Sequence, residues 1–111
     1  MIDHNNMHSY AHEKLFEALH ALALGSGDIR SRLEIAFTSF YVLEKHHFPQ
    51  KFQEDWEWIM KEMTKFGSVY RADGREWRSP VQHTMKRIRN KTGVKIAEKI
   101  FELFWELDRN T

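Results

Sequence analysis

The sequence predicts an all-α protein: a compact bundle of four to five helices with a short irregular or hairpin insertion at 67–78. Three observations carry this. Apolar residues recur every three to four positions along most of the chain, the period of one helix face. Only two prolines and five glycines punctuate 111 residues, which favours long helices over many short strands. Helix-start signals at Asp28, Pro49 and Ser79-Pro80 fall at the joints between the periodic stretches. The length suits one domain, 1–111. A composition 41% hydrophobic and 14% aromatic is enough for an ordered core.

Residues 7–24 read as the first helix. Met7, Ala11, Leu15, Ala18, Leu19 and Leu22 fall on one face, and Gly25-Ser26-Gly27 ends it with a left-handed glycine cap. The second helix is expected from about Asp28, its N-cap, to Lys45. Ile29, Leu33, Ala36, Phe37, Phe40 and Leu43 make its main stripe. Ile35 and Val42 make a second, narrower one on the far side. A helix apolar on two sides sits between neighbours, so this one is expected to be central or to meet a second subunit.

His46-His47-Phe48-Pro49 connects to a third helix ending near Phe66. Phe52, Trp56, Ile59, Met60, Met63 and Phe66 are its core face, while Trp58 projects on the polar side among Glu54, Glu62 and Lys65. Residues 67–78 have no helical period. Asp73-Gly74 is a turn dipeptide between Val69/Tyr70 and Trp77, the pattern of a short hairpin.

Ser79 and Pro80 open the fourth helix as N-cap and first helical residue. The apolar stripe runs in phase from Val81 through Ile96, so periodicity alone allows one rod over 80–108. That rod would be about 43 Å long and would overhang a compact bundle. A break at Asn90-Lys91-Thr92-Gly93 is the preferred reading. The last helix, about 94–108, carries Ile96, Ala97, Ile100, Phe101, Leu103, Phe104, Trp105 and Leu107 around about 200° of its circumference. One-sided packing needs only about 100°.

Net charge is +1, unevenly placed. Residues 1–66 carry 7 Lys/Arg against 10 Asp/Glu, and residues 67–111 carry 10 against 6. Within 71–99 the count is 9 to 3. Arg71, Arg75, Arg78, Lys86, Arg87, Arg89, Lys91 and Lys95, with Lys99, are therefore candidate nucleic-acid contacts, and Tyr70 and Trp77 could stack on bases. The competing reading is that Glu54, Asp55, Glu57 and Glu62 neutralise these cations. A pI near 8.1 is modest for a nucleic-acid binder.

Composition narrows the chemistry. Without cysteine there is no disulfide, thiolate nucleophile or Cys-based zinc site, which fits a cytoplasmic location. The first ten residues lack the basic and apolar regions of a secretory signal. No apolar run approaches the ~18 residues of a membrane span, so no membrane partner is expected.

His4, His8 and His12 are spaced by four, and His8 and His12 fall inside the first helix's apolar arc. Such a pair can chelate metal, but no HExxH pattern or firm third ligand accompanies it, so neither metal nor cofactor is expected. His46 and His47 suit a helix C-terminus. Arg89-Asn90 resembles the front half of the Arg-polar-x4–6-His motif of HEPN-type ribonucleases, but no histidine follows, and His83 lies on the wrong side. No catalytic residue is assigned. The leading expectation is a non-enzymatic interaction protein that self-associates through Ile35, Val42, Trp58 and Trp105. A nucleic-acid-binding module using the 71–99 cluster is the alternative, and a HEPN-like ribonuclease the minor one.

Overall fold

The computed structural model describes residues 8–109. It is an all-α bundle of five helices: α1 (Ser9–Leu24), α2 (Ile29–Phe40), α3 (Gln53–Thr64), α4 (Pro80–Arg87) and α5 (Asn90–Arg109). Two single 3-10 turns, Lys45–His47 and Gln50–Phe52, lead into α3. A two-stranded antiparallel hairpin, β1 (Val69–Tyr70) and β2 (Glu76–Arg78), separates α3 from α4. Gly74 takes the positive φ that its Asp-Gly turn needs. Met7 and His4 lie outside the described residues.

The core positions follow the periodicity. Ala11, Leu15, Ala18 and Leu22 of α1 meet Leu33, Ala36 and Phe40 of α2, and the α1–α2 pairing is the most extensive in the bundle. α2 also packs on α4 and α5, and α5 reaches α1, α2 and α3. Phe48 stacks on Trp56 with ring centroids 4.8 Å apart, and Phe40 meets the same indole edge-on at 5.7 Å.

Helix starts are chemically explicit. Asp28 Oδ1 accepts from the N–H groups of Arg30 and Ser31 at 2.9 and 3.2 Å. Ser79 and Gln82 form a reciprocal capping box, with Pro80 in the first turn.

Several boundaries differ from expectation. α2 ends at Phe40 rather than near Lys45. The chain turns there to bring Leu43 and Phe48 under α3, where both are buried. Val42 therefore lies beyond α2 and does not continue a stripe with Ile35. Gly25 caps α1 in an extended conformation, and the left-handed residue is Gly27. Phe66 lies past the end of α3 and is partly exposed, with the Arg87 guanidinium 4.6 Å from its ring centroid.

The expected break before the last helix exists but falls at Ile88-Arg89, not at 90–93. Ile88 is extended, with φ −72° and ψ 158°, and its side chain is buried. Arg30 Nη1 donates to the Ile88 carbonyl at 3.2 Å, satisfying a group the broken helix leaves unpaired. Gly93 sits inside α5 and is buried. A Cβ there would fall 2.9 Å from Ile29 Cγ2, so this glycine permits close packing of α2 on α5 rather than making a turn.

Candidate interaction surfaces

The wide apolar arc of α5 divides into a used and an unused part. At 100° per residue, Leu103, Ile96, Leu107, Ile100, Gly93 and Phe104 span about 100°, and all are buried. Ala97, Phe101, Val94 and Trp105 occupy roughly the next 80°. Within that sector Phe101 is 50% exposed and Trp105 44%. The two rings meet edge-on at 5.9 Å, and Trp105 also meets Phe104.

Beside this sector an apolar groove of about 420 Å³ runs between α1, the start of α2 and α5. Leu19, Leu22, Ala23, Ile29, Ala97 and Phe101 line it, and Glu98 is its charged rim. Phe16 of α1, 58% exposed, projects nearby and lies 6.1 Å from the Phe104 ring. α1 and α5 thus share one apolar face with a hollow and two projecting aromatic rings.

The side chains named from sequence as an interface do not form one patch. Trp105 belongs to the α1/α5 face. Trp58 lies on the flank of α3 facing α5, with Lys99 Nζ 6.0 Å from its centroid. Ile35 and Val42 are exposed on and just beyond α2, and Ile35 lies on the side of α2 away from Leu33 and Phe40. The signal for the groove was the 200° arc itself.

The basic residues are less neutralised than the competing reading held. Asp55 pairs with Lys99 at 3.7 Å, Glu57 with Lys45 at 3.5 Å and Glu62 with Lys65 at 3.0 Å. Arg75 is taken by its own turn. Its backbone N–H, and then its guanidinium, bond Asp73 and hold that carboxyl below the ordinary carboxylate value. Arg71, Arg78, Lys86, Arg87, Arg89, Lys91 and Lys95 have no carboxylate partner among the described residues. Arg78 instead lies 4.2 Å from the Trp77 ring centroid. Trp77 and Tyr70 are both exposed on the hairpin.

The main support of the hairpin is α4. Two side chains of α4 fix its base. Thr84, fully buried, accepts from the Phe66 N–H at 3.1 Å. His83 Nδ1 lies 3.0 Å from the carbonyls of both Phe66 and Gly67 and donates to them. His83 is thereby a strut at this joint.

The other histidines also hold the fold together. His8 Nδ1 bonds the His47 carbonyl at 3.0 Å, whereas His12 Nε2 meets Asp108 Oδ1 at 2.8 Å and stacks on Phe104. The pair spaced by four turns to different partners. Among the described residues, no group of three or more His, Cys, Asp or Glu is placed to hold a metal ion. His47 Nδ1 accepts from the Glu44 N–H within its 3-10 turn, and His46 pairs with Glu44, so neither sits at the end of α2.

Sequence reasoning missed Thr84, Arg30 and the packing role of Gly93. Only the last left a trace, as a glycine inside a stripe that stayed in phase.

No family model matches the chain, and no curated protein or solved structure does either. Among the described residues, no helix is long and apolar enough to cross a membrane.

Proposed function

We propose that the protein is a non-enzymatic interaction module that self-associates through the face shared by α1 and α5. The observation that carries this reading is the 80° apolar sector of α5, where Val94, Phe101 and Trp105 are left exposed by the described residues. Contiguous apolar patches of several hundred Å² on a monomer commonly mark an interaction site.

A second copy of the chain is the occupant that suits this face. A two-fold interface uses the same patch on both subunits, so knob and hollow must lie on one surface. Here the groove at Ala97 and Phe101 lies beside the projecting rings of Phe16 and Trp105. The open apolar side chains of α5 run from Val94 to Trp105, about 17 Å at 1.5 Å per residue, and Phe16 and Leu19 extend the face onto α1.

The chain has no cysteine, so single cysteines report proximity cleanly. Glu98→Cys, on the groove rim, is expected to form a disulfide-linked dimer under mild oxidation. Ala72→Cys places the thiol on the hairpin and is expected to stay monomeric. Equal cross-linking at both sites, or none at position 98, would remove the reading.

A further inference from the structure

A second surface has a different chemistry. Lys91, Lys95 and Lys99 are four residues apart and share one side of α5. This side lies about a third of the circumference from Phe101. Two contacts orient it. Lys99 meets Asp55 and the Trp58 ring near the start of α3, and Arg87 covers Phe66 just past its end. The cations therefore run from Lys99, beside α3, along α5 through Lys95 to Lys91 on its solvent side, and Arg87 lies beyond the end of α3. Phe66 leads through Gly67 and Ser68 into β1, and Val69 pairs with Arg78 beside Trp77. The line ends at the hairpin with its two exposed aromatics.

The placement of these charges runs against the helix. A helix N-terminus is electropositive, and anionic side chains are the stabilising choice there. α5 has no acidic residue in its first turn. Lys91 and Lys95 occupy its N-terminal half without carboxylate partners among the described residues, while Glu102 and Glu106 hold the same side further on. Folding gains nothing from this order. An external anion would be attracted by the lysines and the helix end together.

We propose that this flank binds single-stranded nucleic acid. Arg87, Arg89, Lys91 and Lys95 track the sugar–phosphate backbone, and an unpaired base stacks on the face of Trp77 that Arg78 leaves open. A single strand fits better than a duplex because bases must be unstacked to reach a hairpin indole. This proposal is independent of self-association, which uses another side of α5.

The test is fluorescence anisotropy with labelled single-stranded DNA and RNA of one mixed sequence, and with the DNA duplex, at 50 and 200 mM salt. Four phosphate contacts at about 0.7 counterion each give a log–log slope near −3 and a roughly fifty-fold loss of affinity between the two salts. Lys91→Glu with Lys95→Glu is expected to halve that slope. Trp77→Ala is expected to weaken binding by roughly 5- to 150-fold, the range for one stacked base. Both variants should keep the wild-type molar mass, Trp77→Ala should keep the wild-type circular dichroism melt, and Lys91→Glu with Lys95→Glu should melt no lower than wild type. Tighter binding of RNA or of DNA identifies the sugar recognised, and either supports the proposal. Absence of salt-dependent binding to both strands overturns it. So does duplex binding as tight as single-strand binding and indifferent to Trp77→Ala.

Discussion

Gly93 and Ile29 approach so closely that no side chain fits between them: a Cβ on Gly93 would lie 2.9 Å from Ile29 Cγ2 and 3.4 Å from Leu33 Cδ1. This contact sets the spacing of α2 against α5, and with it the depth of the groove that Ile29 and Ala97 line. Gly93→Ala brings two opposing effects. The better helix propensity of alanine is worth about 1 kcal/mol, while overpacking a rigid β-branched neighbour costs about 1–3 kcal/mol. The clash is expected to win, with a net loss of about 1 kcal/mol in urea unfolding. Adding Ile29→Ala removes the opposing methyl, so the double variant should show the glycine substitution to be neutral or favourable. Purely additive losses would deny the contact its role.

Thr84 is the only fully buried polar residue among those described, and its hydroxyl holds the Phe66 N–H. Thr84→Val keeps the shape and removes the acceptor. It is expected to lower stability by about 1–2 kcal/mol, with an unchanged denaturant slope. The Phe66 amide proton should exchange faster with solvent than in wild type. Wild-type exchange at Phe66 would mean that the bond does not tie α4 to the end of α3.

Asp28 links acid stability to the start of α2. The side chain of Arg30, at 2.9 Å, and then the Ser31 N–H hold its carboxyl below the ordinary value of 3.8. A carboxyl with a depressed pKa in the folded state adds stability that is full above its unfolded value and is lost as pH falls through the folded value. Asp28→Asn keeps a capping oxygen but no charge. Wild type is therefore expected to melt higher than this variant at neutral pH, and the gap should close as pH drops below 3.8. A gap independent of pH would assign the effect to cap geometry alone.

The helical class, the Asp28 and Ser79 caps and the Asp73-Gly74 hairpin were legible because each rests on local chemistry. The periodicity of α1, α3 and α5 named most of the core. What was hidden depends on residues distant in sequence. Gly93 reads as a turn until Ile29 is seen above it, and the true break at Ile88 rests on the Arg30 guanidinium from another helix. The end of α2 was overrun because Leu43 is in phase with Phe40 on a helix wheel, yet it reaches the core after a turn. Of the proposed surfaces, the width of the α5 arc and the charge excess at 71–99 were both visible in the sequence. The division of that arc into buried and open sectors was not, nor was the pairing of α3 carboxylates with lysines outside most of the cluster.

The central claim is that the open α1/α5 face binds a second copy of the chain, and sedimentation equilibrium over a range of concentrations tests it most directly. Wild type is expected to approach twice the chain mass of 13.4 kDa. Phe101→Glu, which places a charge in the groove without touching the buried sector, is expected to stay at the chain mass with an unimpaired monomer fold. A wild-type protein that remains at the chain mass at every concentration, or a Phe101→Glu variant that associates as wild type does, would contradict the account.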